Sequence, residues 1–153
     1  MLSHDFIHSV FDKSELVGQF PEQIEKVVTD SRADVSQSLF VALRGERFDG
    51  HEFVESSLRK GALLAMVDRQ AQLQLHSERH GYIQVEDTLL GLQKLAMRYL
   101  QTLAGKRIAL TGSNGKTTTK ELLAAALGHS VGRQHVLATK GNFNNHIGLP
   151  LTA

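Results

Sequence analysis

A chain of 153 residues with a hydrophobic fraction of 41% has material for one ordinary domain, or for one small domain and part of a second. Its 17 basic and 16 acidic residues leave a formal net charge of +1 and are scattered, which argues against a nucleic-acid surface. The absence of cysteine excludes disulfides and thiolate metal sites and fits a reducing compartment.

The N-terminus, Met1-Leu2-Ser3-His4-Asp5, has no basic lead and no long apolar run. It predicts neither a signal peptide nor a membrane span, and a cytoplasmic protein is the default expectation. Phe6, Ile7, Val10 and Phe11, followed by Leu16 and Val17, predict a short amphipathic helix within residues 1–17. His4 and His8 lie four apart in it, and with no third ligand nearby they read as surface histidines. Gly18 and Pro21 punctuate the entry to a strand over 24–28.

Asp30-Ser31-Arg32 comes next, then a turn over 34–37 and a second strand over 38–43. Arg44-Gly45-Glu46-Arg47-Phe48-Asp49-Gly50-His51 forms a polar loop too elaborate for a plain connection. A helix over 52–60, with Phe53, Val54 and Leu58 on one face, is stopped by Gly61. Residues 62–67 are nearly all apolar and predict a third strand covered on both faces. Strand, helix, strand at this spacing implies a right-handed parallel crossover. Open α/β sheets hold ligands at strand ends, which makes Ser31, Arg32, Arg44, Asp49 and His51 candidate binding residues. The alternative is that Asp30 and Arg32 form a structural ion pair capping a turn.

Residues 69–80 are polar and predict a surface helix on which His76 and His80 are solvated. A strand over 82–85 follows. Asp87 is an N-cap candidate for a helix carrying Leu89, Leu92, Leu95, Ala96, Tyr99 and Leu103 on one side and ended by Gly105. The domain boundary is expected just before this helix, dividing the chain into 1–84 and 85–153.

Ile108-Ala109-Leu110 predicts a short strand, and Leu122, Leu123, Ala126 and Leu127 recur at helical spacing in a helix over 118–127. Between them lies Thr111-Gly112-Ser113-Asn114-Gly115-Lys116-Thr117-Thr118-Thr119, in the strand, glycine loop, helix order of a P-loop. Glycines at 112 and 115 let amide hydrogens converge on phosphate oxygens, and the helix start adds its dipole. Lys116 supplies a mobile cation for the outer phosphates, and the Thr117 hydroxyl is a magnesium ligand candidate. The general pattern has glycine five positions before Gly115, where this chain has Leu110. The alternative is therefore a glycine-rich turn ahead of a helix. Residues 128–134 predict a loop and 135–138 a strand. Asn142, Asn144 and Asn145 around Phe143 then suit a polar, sugar-like or phosphate-bearing ligand, or else a turn stabilised by asparagine side chains.

Taken in order, Asp30-Ser31-Arg32, Leu39-Phe40-Val41-Ala42-Leu43-Arg44-Gly45, Asp49-Gly50-His51-Glu52-Phe53, Gly61-Ala62, residues 111–118 and Asn142-Phe143-Asn144-Asn145-His146-Ile147-Gly148 resemble the Mur ligases. The resemblance spans residues 30–150. It implies an α/β protein with a small N-terminal uridine-nucleotide-binding domain, followed by the incomplete start of a P-loop central ATPase domain. It also implies ATP-dependent amide-bond formation through an acyl phosphate in peptidoglycan precursor synthesis. The Asn-Phe-Asn-Asn stretch and Thr118-Thr119-Lys120-Glu121 favour the branch that joins D-alanyl-D-alanine to a UDP-N-acetylmuramoyl-tripeptide. By the same resemblance Gly112, Ser113, Asn114, Gly115, Lys116, Thr117 and Thr118 hold ATP, Lys116 acts as the catalytic cation and Thr117 binds Mg2+. Ser31, Arg32, Arg44, Gly45, Asp49, Gly50 and His51 hold the uridine end, and Asn144 and Asn145 lie near the muramoyl portion or the transferred phosphate.

Residues 107–153 hold fewer strands than a P-loop domain needs, so the sequence reads as the N-terminal part of a longer ligase, inactive alone. The helix over 89–103 and the P-loop helix are then expected to lack cover on their apolar faces. Other readings are a non-catalytic UDP-sugar-binding module, another Mur-type ligase, or a P-loop NTPase of unrelated purpose.

Overall fold

The computed structural model describes residues 1–46, 48–71, 73–74, 76–139, 148 and 151. Its centre is a five-stranded sheet in which β4 (Lys26–Val28), β5 (Ser38–Val41), β6 (Leu64–Asp68) and β7 (Gly81–Val85) are parallel and β2 (Leu16–Gly18) closes one edge antiparallel to β7. A second, two-stranded sheet pairs β1 (Leu2–Ser3) with β3 (Gln23–Ile24).

Strand alternation sorts the core onto two faces. Leu39, Val41, Leu64, Met66, Ile83 and Val85 point to one side, where they meet Ile7, Val10 and Phe11 from the N-terminal helix α1 (His4–Val10) and its end, and Leu92 and Leu95 from α3 (Thr88–Thr102). Phe40, Ala42, Ala65, Val67 and Tyr82 point to the other, against Val54 and Leu58 of α2 (Val54–Arg59). The register Phe40, Ala65, Tyr82 and the register Val41, Met66, Ile83 run across the central strands on opposite faces. Helices on both sides therefore bury the central strands completely, which is why β5 and β6 carry almost no polar residues.

Several sequence expectations are corrected. Residues 1–17 do not form one helix. Ser3 caps α1 by accepting from the Phe6 amide at 3.2 Å, Phe11 ends it, and Leu16 and Val17 leave the helical pattern to pair with Ile83 and Tyr82. Tertiary strand pairing outcompetes local propensity there. The expected 69–80 helix is absent among the described residues. Short turns replace it, such as Arg79 and His80 donating to the His76 carbonyl, because the segment has no apolar stripe to bury. The expected 108–110 and 135–138 strands are absent too. A strand needs a neighbour's carbonyls and amides, and none lies alongside among the described residues. Ile108 is 58% exposed.

The apolar face of α3 is covered, not bare: Leu92, Leu95 and Ala96 are buried on the sheet. Asp87 caps this helix as expected, its carboxylate accepting from the Leu89 and Leu90 amides at 2.7 and 2.9 Å. The P-loop helix α4 (Lys116–Val131) runs further than predicted, into the expected 128–134 loop as far as Val131, and leaves Leu122 and Val131 exposed. No helix among the described residues is long and apolar enough to cross a membrane.

Candidate functional site

At the carboxyl end of β5 the chain folds back on itself. The Gly50 amide donates to the Leu43 carbonyl at 2.9 Å, Gly45 donates to the Phe48 carbonyl at 2.9 Å, and Arg44 pairs with Asp49 as an isolated antiparallel bridge. A Cβ on Gly50 would stand 2.7 Å from the Leu43 carbonyl oxygen, so the close return depends on glycine for room. The Phe48 ring lies over Gly45 and is 60% exposed.

His51 is 5% exposed and uses both ring nitrogens. Nε2 accepts from the Asp68 amide at 2.9 Å, which leaves the proton on Nδ1, 2.5 Å from Asp49 Oδ1. Asp49 also accepts from the His51 amide at 3.0 Å and from Arg44 Nε at 3.1 Å. Partial burial opposes the Asp49 charge, but the His51 amide and ring and the Arg44 guanidinium outweigh it and hold the carboxyl below its ordinary range. Asp68, at the end of β6, faces Arg44 Nη2 at 3.6 Å and accepts from the Thr88 amide at 3.0 Å, while the Thr88 hydroxyl donates to the Ala42 carbonyl at 2.8 Å. Arg44, Gly45, Asp49, Gly50 and His51 are thus one braced loop. Sequence reasoning missed Asp68 and Thr88. The available signal was a first charged residue at the carboxyl end of an otherwise apolar parallel strand.

Ser31 and Arg32 sit elsewhere on the surface. Arg32 grips Asp30 through Nε and Nη2 at 2.8 and 2.7 Å, and its amide donates to the same carboxylate at 3.0 Å. The Arg32 side chain, then its amide, draw the Asp30 pKa down to about 2. The ion-paired turn weighed in the sequence is therefore present. Lys60 donates to the Ser31 carbonyl at 3.2 Å, and no hydrogen bond or ion pair among the described residues joins this turn to the Arg44–His51 loop.

Residues 111–115 form an exposed loop that enters α4 through Gly115, whose φ of +77° is open to glycine and strained for other residues. No heavy atom lies within 4 Å of where a Gly115 Cβ would sit, and as N-cap this residue offers the helix no side chain. Lys116 bends back over the loop and its ammonium donates to the Gly112 carbonyl. A cation, an open turn and the positive end of a 16-residue helix converge on one spot, an arrangement suited to phosphate. Ser113, Asn114, Thr117 and Thr118 are carried on the same loop and first turn. Asn144 and Asn145 lie outside the described residues. Two clefts, of about 350 Å³ beside α2 and about 270 Å³ between β4 and α3, are lined by none of the candidate residues.

Residues 23–100 match the profile of the Mur ligase family, catalytic domain, and residues 110–153 that of the Mur ligase middle domain. The UDP-N-acetylmuramoyl-tripeptide–D-alanyl-D-alanine ligase of Bacillus subtilis is 50% identical over 129 residues, covering 84% of this chain and 27% of the relative. That of Escherichia coli is 40% identical over 129 residues, with the same coverage. Among solved structures, MurF from Acinetobacter baumannii superposes with a TM-score of 0.80 at 33% identity, over 99% of this chain and 32% of the other. MurF ligase from Thermotoga maritima in complex with ADP gives 0.68 at 35% identity, over 84% and 28%. The chain spans less than a third of the length of these proteins. With one family profile covering 23–100 and a second 110–153, this chain belongs to the Mur ligase family.

Proposed function

We propose that this chain is the uridine-nucleotide-binding portion and the first ATP-binding elements of a ligase that joins D-alanyl-D-alanine to a UDP-N-acetylmuramoyl-tripeptide in the cytoplasm. The observation that carries the reading is the open glycine loop at the start of α4 with Lys116 folded over it. The names of the relatives supply the substrates. The division between the two units, expected before α3 at 84/85, is proposed to lie after that helix, and the packing of Leu92 and Leu95 on the first sheet supports this.

The residues present fit ATP. The amides at the α4 start would donate to phosphate oxygens, Lys116 would leave the Gly112 carbonyl for a phosphate oxygen, and the Thr117 hydroxyl would serve Mg2+. Bound there, ATP would supply the phosphoryl group that activates the peptide carboxylate, leaving ADP, so that the amine of D-alanyl-D-alanine could form the amide with release of phosphate and a proton. The protein's share of such chemistry is positioning and charge neutralisation. Gly112 to Thr118 hold the nucleotide, and Arg44, Gly45, Asp49, Gly50 and His51 hold the uridine end. Ser31 and Arg32, on their separate turn, join in holding the uridine end if the Asp30 pair opens, and by the family resemblance Asn144 and Asn145, which lie outside the described residues, serve the muramoyl or phosphoryl portion. The exposed Phe48 ring over Gly45, on the same loop as Arg44, supports the uridine reading, since an aromatic ring and a cation match a base and its phosphates.

Calorimetric titration tests this. The chain should bind UDP-N-acetylmuramoyl-tripeptide and, separately, Mg-ATP. Lys116→Ala should abolish the second alone and Arg44→Ala weaken the first alone. Uridine binding without ATP binding would favour a non-catalytic module, and indifference to uridine compounds would reject the proposal.

A further inference from the structure

We propose that Asp68 is a positioning residue that fixes the Arg44–His51 loop and ties it to the start of α3. Its side chain is 13% exposed at the carboxyl end of the central strand β6, between β5 and β7. A carboxylate so placed requires compensating donors, and two elements supply them. Thr88 of α3 donates its amide to Oδ1 at 3.0 Å, and Arg44 Nη2 of the loop lies 3.6 Å from Oδ2. The Asp68 amide meanwhile holds His51 Nε2 at 2.9 Å, so one residue grips both ends of the loop through backbone and side chain.

The α3 end of the linkage is equally complete. The first amides of a helix have no intrahelical acceptor. Here Asp68 takes the Thr88 amide, Asp87 takes those of Leu89 and Leu90 through its side chain, and the Asp87 carbonyl takes that of Gly91. Thr88 returns a bond to the Ala42 carbonyl, directly before the loop. Arg44 is 59% exposed at its side chain and would sample many rotamers without Asp49 and Asp68 to hold it. Asp68 acts on a ligand through Arg44, without touching it. This rests on the reading of the loop as the uridine-nucleotide surface.

Asp68→Asn keeps an oxygen for the Thr88 amide but removes the charge facing Arg44. Amide hydrogen exchange on the 153-residue chain should be about tenfold faster at Gly45, Gly50 and His51, and unchanged at Thr88 and Leu89. Asp68→Ala should speed Thr88 as well. In titrations with UDP, Asp68→Asn should weaken binding about tenfold, and Arg44→Ala with Asp68→Asn should bind no more weakly than Arg44→Ala alone. Unchanged loop exchange in Asp68→Asn overturns the proposal, as do additive losses in the double variant. If the unaltered chain fails to bind UDP, the functional reading of the loop falls, and the exchange comparison alone decides whether Asp68 holds it.

Discussion

His51 is the sharpest point at which to perturb the braced loop, because its ring joins two segments and is 5% exposed. His51→Ala leaves the Asp68 amide without an acceptor in a buried setting, a loss of about 1–3 kcal/mol. It also deletes the Nδ1 bond to Asp49, which water partly replaces because that carboxylate is 33% exposed, and it vacates the space of a buried ring. Together these give a destabilisation of about 3 kcal/mol. His51→Gln offers an oxygen to the Asp68 amide but nothing at the Nδ1 position, and should cost roughly half as much. Urea unfolding followed by far-UV circular dichroism measures both, with an unchanged slope confirming that the same surface unfolds. A His51→Ala loss below about 0.5 kcal/mol, the range of ordinary surface changes, or a Gln variant as damaged as the Ala variant, would refute the paired-nitrogen account.

Arg32→Ala should leave unfolding essentially unchanged, because the Asp30 pair is solvent-exposed, while the Asp30 carboxyl titration followed by NMR moves up from about 2 toward the ordinary aspartate value. A titration that does not move would show that the pair does not persist in solution. The Asp49 carboxyl is depressed in the folded state, so its contribution is present above the ordinary carboxylate range and is lost as pH falls through the lowered value. The stability gap between the unaltered chain and Asp49→Asn should therefore narrow on going from about pH 7 to about pH 3, and a constant gap would contradict it. Leu92→Ala, at a position 1% exposed among Met66 and Val85, should destabilise the sheet unit by about 2–5 kcal/mol and speed exchange at the Met66 and Ile83 amides. Protected Met66 and Ile83 amides would mean that α3 does not belong to that unit.

The sequence alone determined whatever a short window encodes. The continuous apolar runs Leu39 to Ala42 and Leu64 to Val67 marked central strands, Asp87 marked the start of α3, and the glycines at 112 and 115 followed by Lys116 marked the turn into α4. These features depend on neighbours two to four residues away, whose periodicity survives without the rest of the chain. Only the tertiary structure decided what depends on distant partners. Leu16 and Val17 became a strand because β7 offers an edge, and Ile108 to Leu110 did not because no strand among the described residues lies beside them. Arg32 was drawn to Asp30, while Arg44 was drawn to Asp49 and Asp68. Asp68 and Thr88 gained their roles only when the sheet brought residues 42, 51, 68 and 88 together at the carboxyl ends of its central strands. Strand pairing and the satisfaction of buried charge are settled between segments far apart in the chain, so no local pattern carries them.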